Sequence, residues 1–170
     1  MQAPLIRTGS WLRRRAENFA AILLLGMFVC FLIQIFFRYV LNNPVGWTEE
    51  VCLTAWIWGV LWGAVFVLDE KDEVRFDIIY TAVSPQARRI FTIITSGALV
   101  ILYSISLPAV VNYVTFMKVE KSAYLGIRFD YLYSIYVIFA VGAIIRYAWL
   151  GWRAVRGRAP EVTLAGGSAL

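Results

Sequence analysis

Four long apolar runs, each closed off by charge, set the pattern of this chain. The first reads from Phe19 to Phe37, with Gln34 its strongly polar member. The second runs from Val51 to Leu68, and the third from Ile90 to Phe116 without a charged residue. The fourth runs from Tyr131 to Ile145 and is extended by Arg146 and the residues to Leu150. A helix crossing the hydrocarbon core needs about 20 predominantly apolar residues, and each run meets or approaches that length. The pattern predicts an all-α integral membrane protein with four transmembrane helices, over residues 17–41, 48–68, 85–117 and 130–152. These form one membrane domain over 1–158, and the aperiodic tail 159–170 reads as disordered.

The connections carry their own signals. Asn42-Asn43-Pro44-Val45-Gly46 reads as a tight turn, because the residue before a proline is pushed out of helical geometry. Trp47-Thr48-Glu49-Glu50 then opens the second helix. Thr48 is the expected cap, and the two carboxylates lie in the first turn, where the helix dipole favours them. Ser84-Pro85 reads as a cap followed by proline at the first helical position. At about 1.5 Å per residue the third run covers roughly 40 Å against a core of about 30 Å, so it must tilt, kink or project. Pro108 supplies a kink site. Over 74–83, Phe76, Ile79, Tyr80 and Val83 recur at helical spacing among Arg75 and Asp77, which predicts a short amphipathic helix at the membrane surface between helices 2 and 3.

Charge placement gives an orientation. Arg7, Arg13, Arg14, Arg15, Lys71, Arg75, Arg88, Arg89, Arg146, Arg153, Arg156 and Arg158 fall on one side; Arg38, Lys118, Lys121 and Arg128 fall on the other. Basic residues concentrate in cytoplasmic segments, so both termini are expected inside. Arg146 is expected to send its guanidinium to water while its stem stays in lipid. The basic N-terminal arm resembles the start of a signal peptide, but the apolar run after it is too long and lacks a small-residue cleavage site, so it reads as a retained first span.

Composition sharpens this picture. The chain is 61% hydrophobic and 16% charged, with mean hydropathy +0.70. A soluble domain is about 45–50% apolar and about 25% charged. Histidine is absent, which removes the commonest general base, metal ligand and haem ligand together. Cys30 and Cys52 lie inside apolar runs without C-x-x-C spacing. These features disfavour an enzyme, an electron carrier or a bound cofactor. The pI of about 9.4 does not indicate nucleic acid, because the basic residues flank apolar spans and form no single basic face.

Two stripes suggest helix contacts. Gly26, Cys30, Gln34 and Arg38 form one row on the first helix; Cys52, Trp56, Gly59, Gly63 and Phe66 form another on the second, with Gly59 and Gly63 in G-x-x-x-G spacing. Small residues let helices approach in lipid, either against a partner or within the chain. Glu49 and Glu50 sit at a helix mouth, where they can ligate a cation or pair with Arg38; pairing with Arg38 is the expectation. No acid, base or aligned polar pair lies at the midplane, where transporters place their chemistry. The chain therefore reads as a subunit. The alternative, a self-sufficient four-helix channel or small carrier, calls for a polar mid-membrane lining.

The block Phe37-Arg38-Tyr39-Val40-Leu41-Asn42-Asn43-Pro44, then Trp47-Thr48-Glu49-Glu50, the Gly59/Gly63 helix and Val74-Arg75-Phe76-Asp77-Ile78-Ile79 resembles the small membrane subunit, DctQ type, of TRAP (tripartite ATP-independent periplasmic) transporters. The resemblance covers roughly residues 15–155, and its specific part is Arg38 to Ile79. Glu73 stands where many members carry a histidine, so a role tied to that histidine does not transfer. The resemblance implies a multi-pass protein of the bacterial cytoplasmic (inner) membrane. It implies a large permease subunit that holds the sodium and solute sites, and a periplasmic substrate-binding protein that captures an organic acid. The small subunit is then a scaffold that helps receive the binding protein. Arg38, Trp47, Glu49, Glu50, Trp56, Gly59, Gly63, Arg75 and Asp77 are the structural or partner-contact candidates.

Overall fold

A computed structural model describes residues 3–68 and 84–157. The predicted interfacial helix over 74–83, with Arg75 and Asp77, lies outside the described residues, as does the tail 159–170. Among the described residues the chain is all-helical, with four helices long and apolar enough to cross a membrane. Helix α1 spans Ala3–Tyr39, α2 Trp47–Trp62, α3 Pro85–Phe116 and α4 Phe129–Val155.

The helix ends follow local chemistry. After Tyr39 the chain turns through Asn42, whose φ of 54° is left-handed and which asparagine tolerates better than most residues. The Asn43 amide returns to the Phe37 carbonyl at 3.0 Å. Ser84 caps α3, its hydroxyl oxygen accepting the Ala87 amide at 3.4 Å, with Pro85 at the first helical position. Helix α3 continues through Pro108 without a break. The start of α2 departs from expectation. Gly46, not Thr48, holds the cap position; Thr48 is fully buried in the first turn and donates its hydroxyl to the Val45 carbonyl at 2.9 Å. The last turn of α2 widens into a π turn over Gly63–Val67, where the Leu68 amide reaches the Gly63 carbonyl at 2.9 Å.

The helices form a row in the order α1, α2, α4, α3, with no substantial contact between α1 and α3. The two hairpins are the tight units. In the first, the Trp62 ring packs on Phe19 at 4.8 Å and its indole N–H donates to the Ala16 carbonyl at 3.2 Å. In the second, α3 and α4 close over small residues: Ala140, Ala143 and Ala154 of α4 are buried, as are Thr92 and Ser96 of α3. A Cβ added at Gly151 would meet the Ser96 side chain at 3.2 Å. Without a hydrophobic driving force inside lipid, such close backbone approach supplies much of the attraction between helices.

Helices α2 and α4 join the hairpins. The Trp58 indole N–H donates to the Leu132 carbonyl at 2.9 Å. Lower down, Gly142 makes room for Val65, whose side chain would overlap any Cβ there. Arg146 donates to the carbonyls of Ala64 and Val65 at 2.8 and 3.4 Å. The sequence alone sent this guanidinium to water. Instead it serves carbonyls in the last turn of α2, the end at which a helix runs out of intrahelical amides and presents the negative end of its dipole. Arg89 of α3 does the same for α4, donating to the carbonyls of Ala154, at 2.7 Å, and Val155. Each of these helix ends is thus capped by an arginine from a neighbouring helix.

Candidate functional site

The described structure brings polar chemistry together at the turn end, where the α1–α2 and α3–α4 connections meet. Its centre is Glu50, in the first turn of α2. Its carboxylate accepts the Ser122 hydroxyl, the Tyr124 amide at 3.0 Å and the Leu125 amide at 3.1 Å. The loop thus held is closed on itself. The Ser122 amide donates to the Ile127 carbonyl at 2.8 Å, the Gly126 amide to the Ser122 carbonyl at 3.1 Å, and the Phe129 amide to the Glu120 carbonyl at 3.1 Å. Gly126 takes a left-handed φ of 64° at the turn, which glycine adopts at no steric cost. The Tyr124 ring lies on Gly46 so closely that a Cβ there would overlap it, so the α3–α4 loop rests on the α1–α2 turn as well as on α2.

Arg128 closes the base of this loop against Asp130, its Nε 3.1 Å from the carboxylate. The hydrogen bond to the Asp130 carboxylate raises the Arg128 pKa above its ordinary value.

The expected Arg38 ion pair does not form. Among the described residues no ion pair joins Arg38 to Glu49 or Glu50. Arg38 is exposed and lies over the Tyr39 ring at 5.8 Å, while Glu50 is committed to the α3–α4 loop. A carboxylate that accepts two backbone amides and a hydroxyl has its lone pairs satisfied without a cation. Glu49 is exposed beside it and does not join this cluster.

The stripe on α2 is divided: Cys52 donates its thiol to the Met27 carbonyl of α1 at 3.6 Å and the Phe66 ring packs on Trp62, while Trp56, Gly59 and Gly63 leave open surface between them. Among the described residues a Cβ at Gly26, Gly59 or Gly63 would meet nothing within 4 Å, so these glycines are not close-approach points between the described helices. Trp56 is 58% exposed and Trp47 38% exposed. Ala20 and Leu24 of α1 with Ala55, Trp56, Gly59 and Val60 of α2 line a shallow apolar groove of about 140 Å³. The glycines that do admit a neighbour are Gly46, Gly142 and Gly151, none of them in G-x-x-x-G spacing with another. Sequence reasoning missed these, together with Ser122, Tyr124 and the capping roles of Arg89 and Arg146.

Among the described residues no cluster of three or more acidic or cysteine side chains is arranged to hold a metal ion. The site is thus two surfaces: a pinned loop at one end of the row and an open, small-residue groove on one face.

A family model described as "Tripartite ATP-independent periplasmic transporters, DctQ component" matches residues 10–157, most of the chain. The chain belongs to the DctQ family. It is accordingly a membrane subunit of a TRAP transporter and not an enzyme. No curated protein and no solved structure shows significant similarity to it. The DctQ component is one of three in these transporters, the others being a large permease and a periplasmic binding protein.

Proposed function

We propose that this DctQ chain is the scaffold of a sodium-coupled TRAP transporter for an organic acid in the bacterial inner membrane. The large permease carries the sodium and solute sites and pairs with the small subunit along the groove face of α1 and α2. The N- and C-termini are cytoplasmic, and the turn end faces the periplasm, where it helps receive the substrate-binding protein. Arg38, Trp47, Glu49 and Glu50 then belong to the periplasmic end, and Trp56, Gly59 and Gly63 to the permease face.

The observation that carries this reading is the open row. Helices α1 and α3 make no substantial contact, and among the described residues the aligned glycines of α2 have open space before them. A four-helix channel or carrier needs a closed ring with a polar lining, and this chain has neither arrangement among its described residues. The test is co-purification. The tagged small subunit, expressed with its large permease, is expected to bring the permease down in equal amount from mild detergent. Recovery of the small subunit as a stable homo-oligomer, with the permease left behind, would contradict the proposal.

A further inference from the structure

We propose that Glu50 is a positioning residue: it holds the α3–α4 loop as a preformed docking surface for the soluble periplasmic component. The proposal rests on the reading above that the turn end faces the periplasm.

The loop separates backbone from side chains. Its polar backbone groups turn inward, to Glu50 and to one another, through the Tyr124, Leu125, Ser122, Gly126 and Phe129 amides. Its large side chains stay outside: Val119 is 80% exposed and Tyr124 69% exposed, even with the tyrosine ring seated on Gly46. A connection between antiparallel helices needs only about 2–8 residues, so joining α3 to α4 does not account for this construction. A loop ordered before it meets its partner avoids the entropy of being ordered on binding.

The chemistry around the loop fits a protein better than a lipid surface. Lys118, Glu120 and Lys121 are exposed and of both signs, interleaved with Val119 and Tyr124. An aromatic and aliphatic centre with a mixed-charge rim is the make-up of a protein interface. A surface for anionic headgroups gathers basic residues without acidic ones between them. Arg128 is engaged with Asp130, so its charge is already committed within the chain.

The experiment uses the assembled small–large complex in lipid nanodiscs, with the cognate solute-binding protein as the soluble probe. Hydrogen exchange at the Tyr124 and Leu125 amides reports the loop, and surface plasmon resonance reports docking. In Glu50→Gln the two amides are expected to exchange at least about tenfold faster, with docking weakened roughly tenfold and the permease still bound. Tyr124→Ala is expected to weaken docking similarly while the Leu125 amide stays protected. If Glu50→Gln fails to assemble, Ser122→Ala, which removes one donor, takes its place with the same expected direction. Faster exchange with unchanged docking would overturn the proposal, as would amides that stay protected in Glu50→Gln or wild-type docking by Tyr124→Ala. A wild-type complex that binds the permease but never the binding protein would overturn the docking role together with this inference. Failure in the variants alone leaves the scaffold reading intact.

Discussion

The indole N–H of Trp58 on α2 donates to the carbonyl of Leu132 on α4 at 2.9 Å, and this bond ties the two hairpins together within the helices. Four residues later Trp62 reaches the other way, to Ala16 of α1. Two tryptophans one turn apart therefore fasten α2 to both of its neighbours. An indole N–H left without an acceptor in hydrocarbon is costly, so each bond also satisfies a donor that lipid cannot.

Trp58→Phe keeps most of the ring and removes the donor. We expect a loss of about 0.5–1.5 kcal/mol in the stability of the isolated subunit, the usual worth of such a bond. Trp56→Phe, on the exposed side of the same helix, is expected to leave stability unchanged. Thermal unfolding of both variants in one detergent measures the difference; equal losses would contradict the assignment.

Gly142 and Gly63 make opposite predictions. A side chain at Gly142 collides with Val65 across the α2–α4 contact, and overpacking of this kind costs about 1–3 kcal/mol. Gly142→Leu should destabilise the subunit even without a partner. Gly63→Leu meets none of the described residues, so the isolated subunit should keep its melting temperature while co-purification with the permease is lost. If Gly63→Leu unfolds the subunit, or leaves the complex intact, the groove face is not the permease face.

Arg146 caps the end of α2 from α4. Hydrogen bonds from a charged donor are worth about 1.5–3 kcal/mol, so Arg146→Leu should loosen the last turn of α2 and lower stability by that order. Amide exchange over residues 63–68 reads the loosening directly. A variant with wild-type exchange there would show that the carbonyls are satisfied some other way.

Orientation has its own test. In a background with Cys30 and Cys52 replaced, single cysteines at Asn43 and Ala123 should react with a membrane-impermeant maleimide added to intact spheroplasts. Cysteines at Ser84 and Ala159 should react only after the membrane is opened. Labelling of Ala159 from outside would reverse the topology.

The four helices were legible because each apolar run is long and uninterrupted, and Ser84 was legible as a cap because its signal is local. The first turn of α2 showed its two carboxylates but not their fates. Glu50 meets Ser122, Tyr124 and Leu125 across more than seventy positions of sequence, and nothing in the spacing of a polar loop announces that its amides will converge on one side chain. Arg38 was the nearer cation in sequence, and proximity along the chain favoured it wrongly. Thr48 carries the chemistry of a cap, but the helix begins at Trp47 after Gly46, which moves its hydroxyl into the first turn. The glycines show the same limit. G-x-x-x-G spacing aligns Gly59 and Gly63 on one face without saying what that face meets, while Gly142 and Gly151 take neighbours without any motif. Arg89 and Arg146 read as basic residues near helix ends, and only the order of the row shows whose carbonyls they serve.

Reconstituted transport tests the central claim most directly. Proteoliposomes carrying the small subunit alone, the permease alone, or both together are supplied with the substrate-binding protein, its radiolabelled solute and an inward sodium gradient. The scaffold account predicts uptake only when both membrane subunits and the binding protein are present, and no solute or ion flux from the small subunit alone. Flux through the small subunit by itself, or full uptake by the permease without it, would contradict that account.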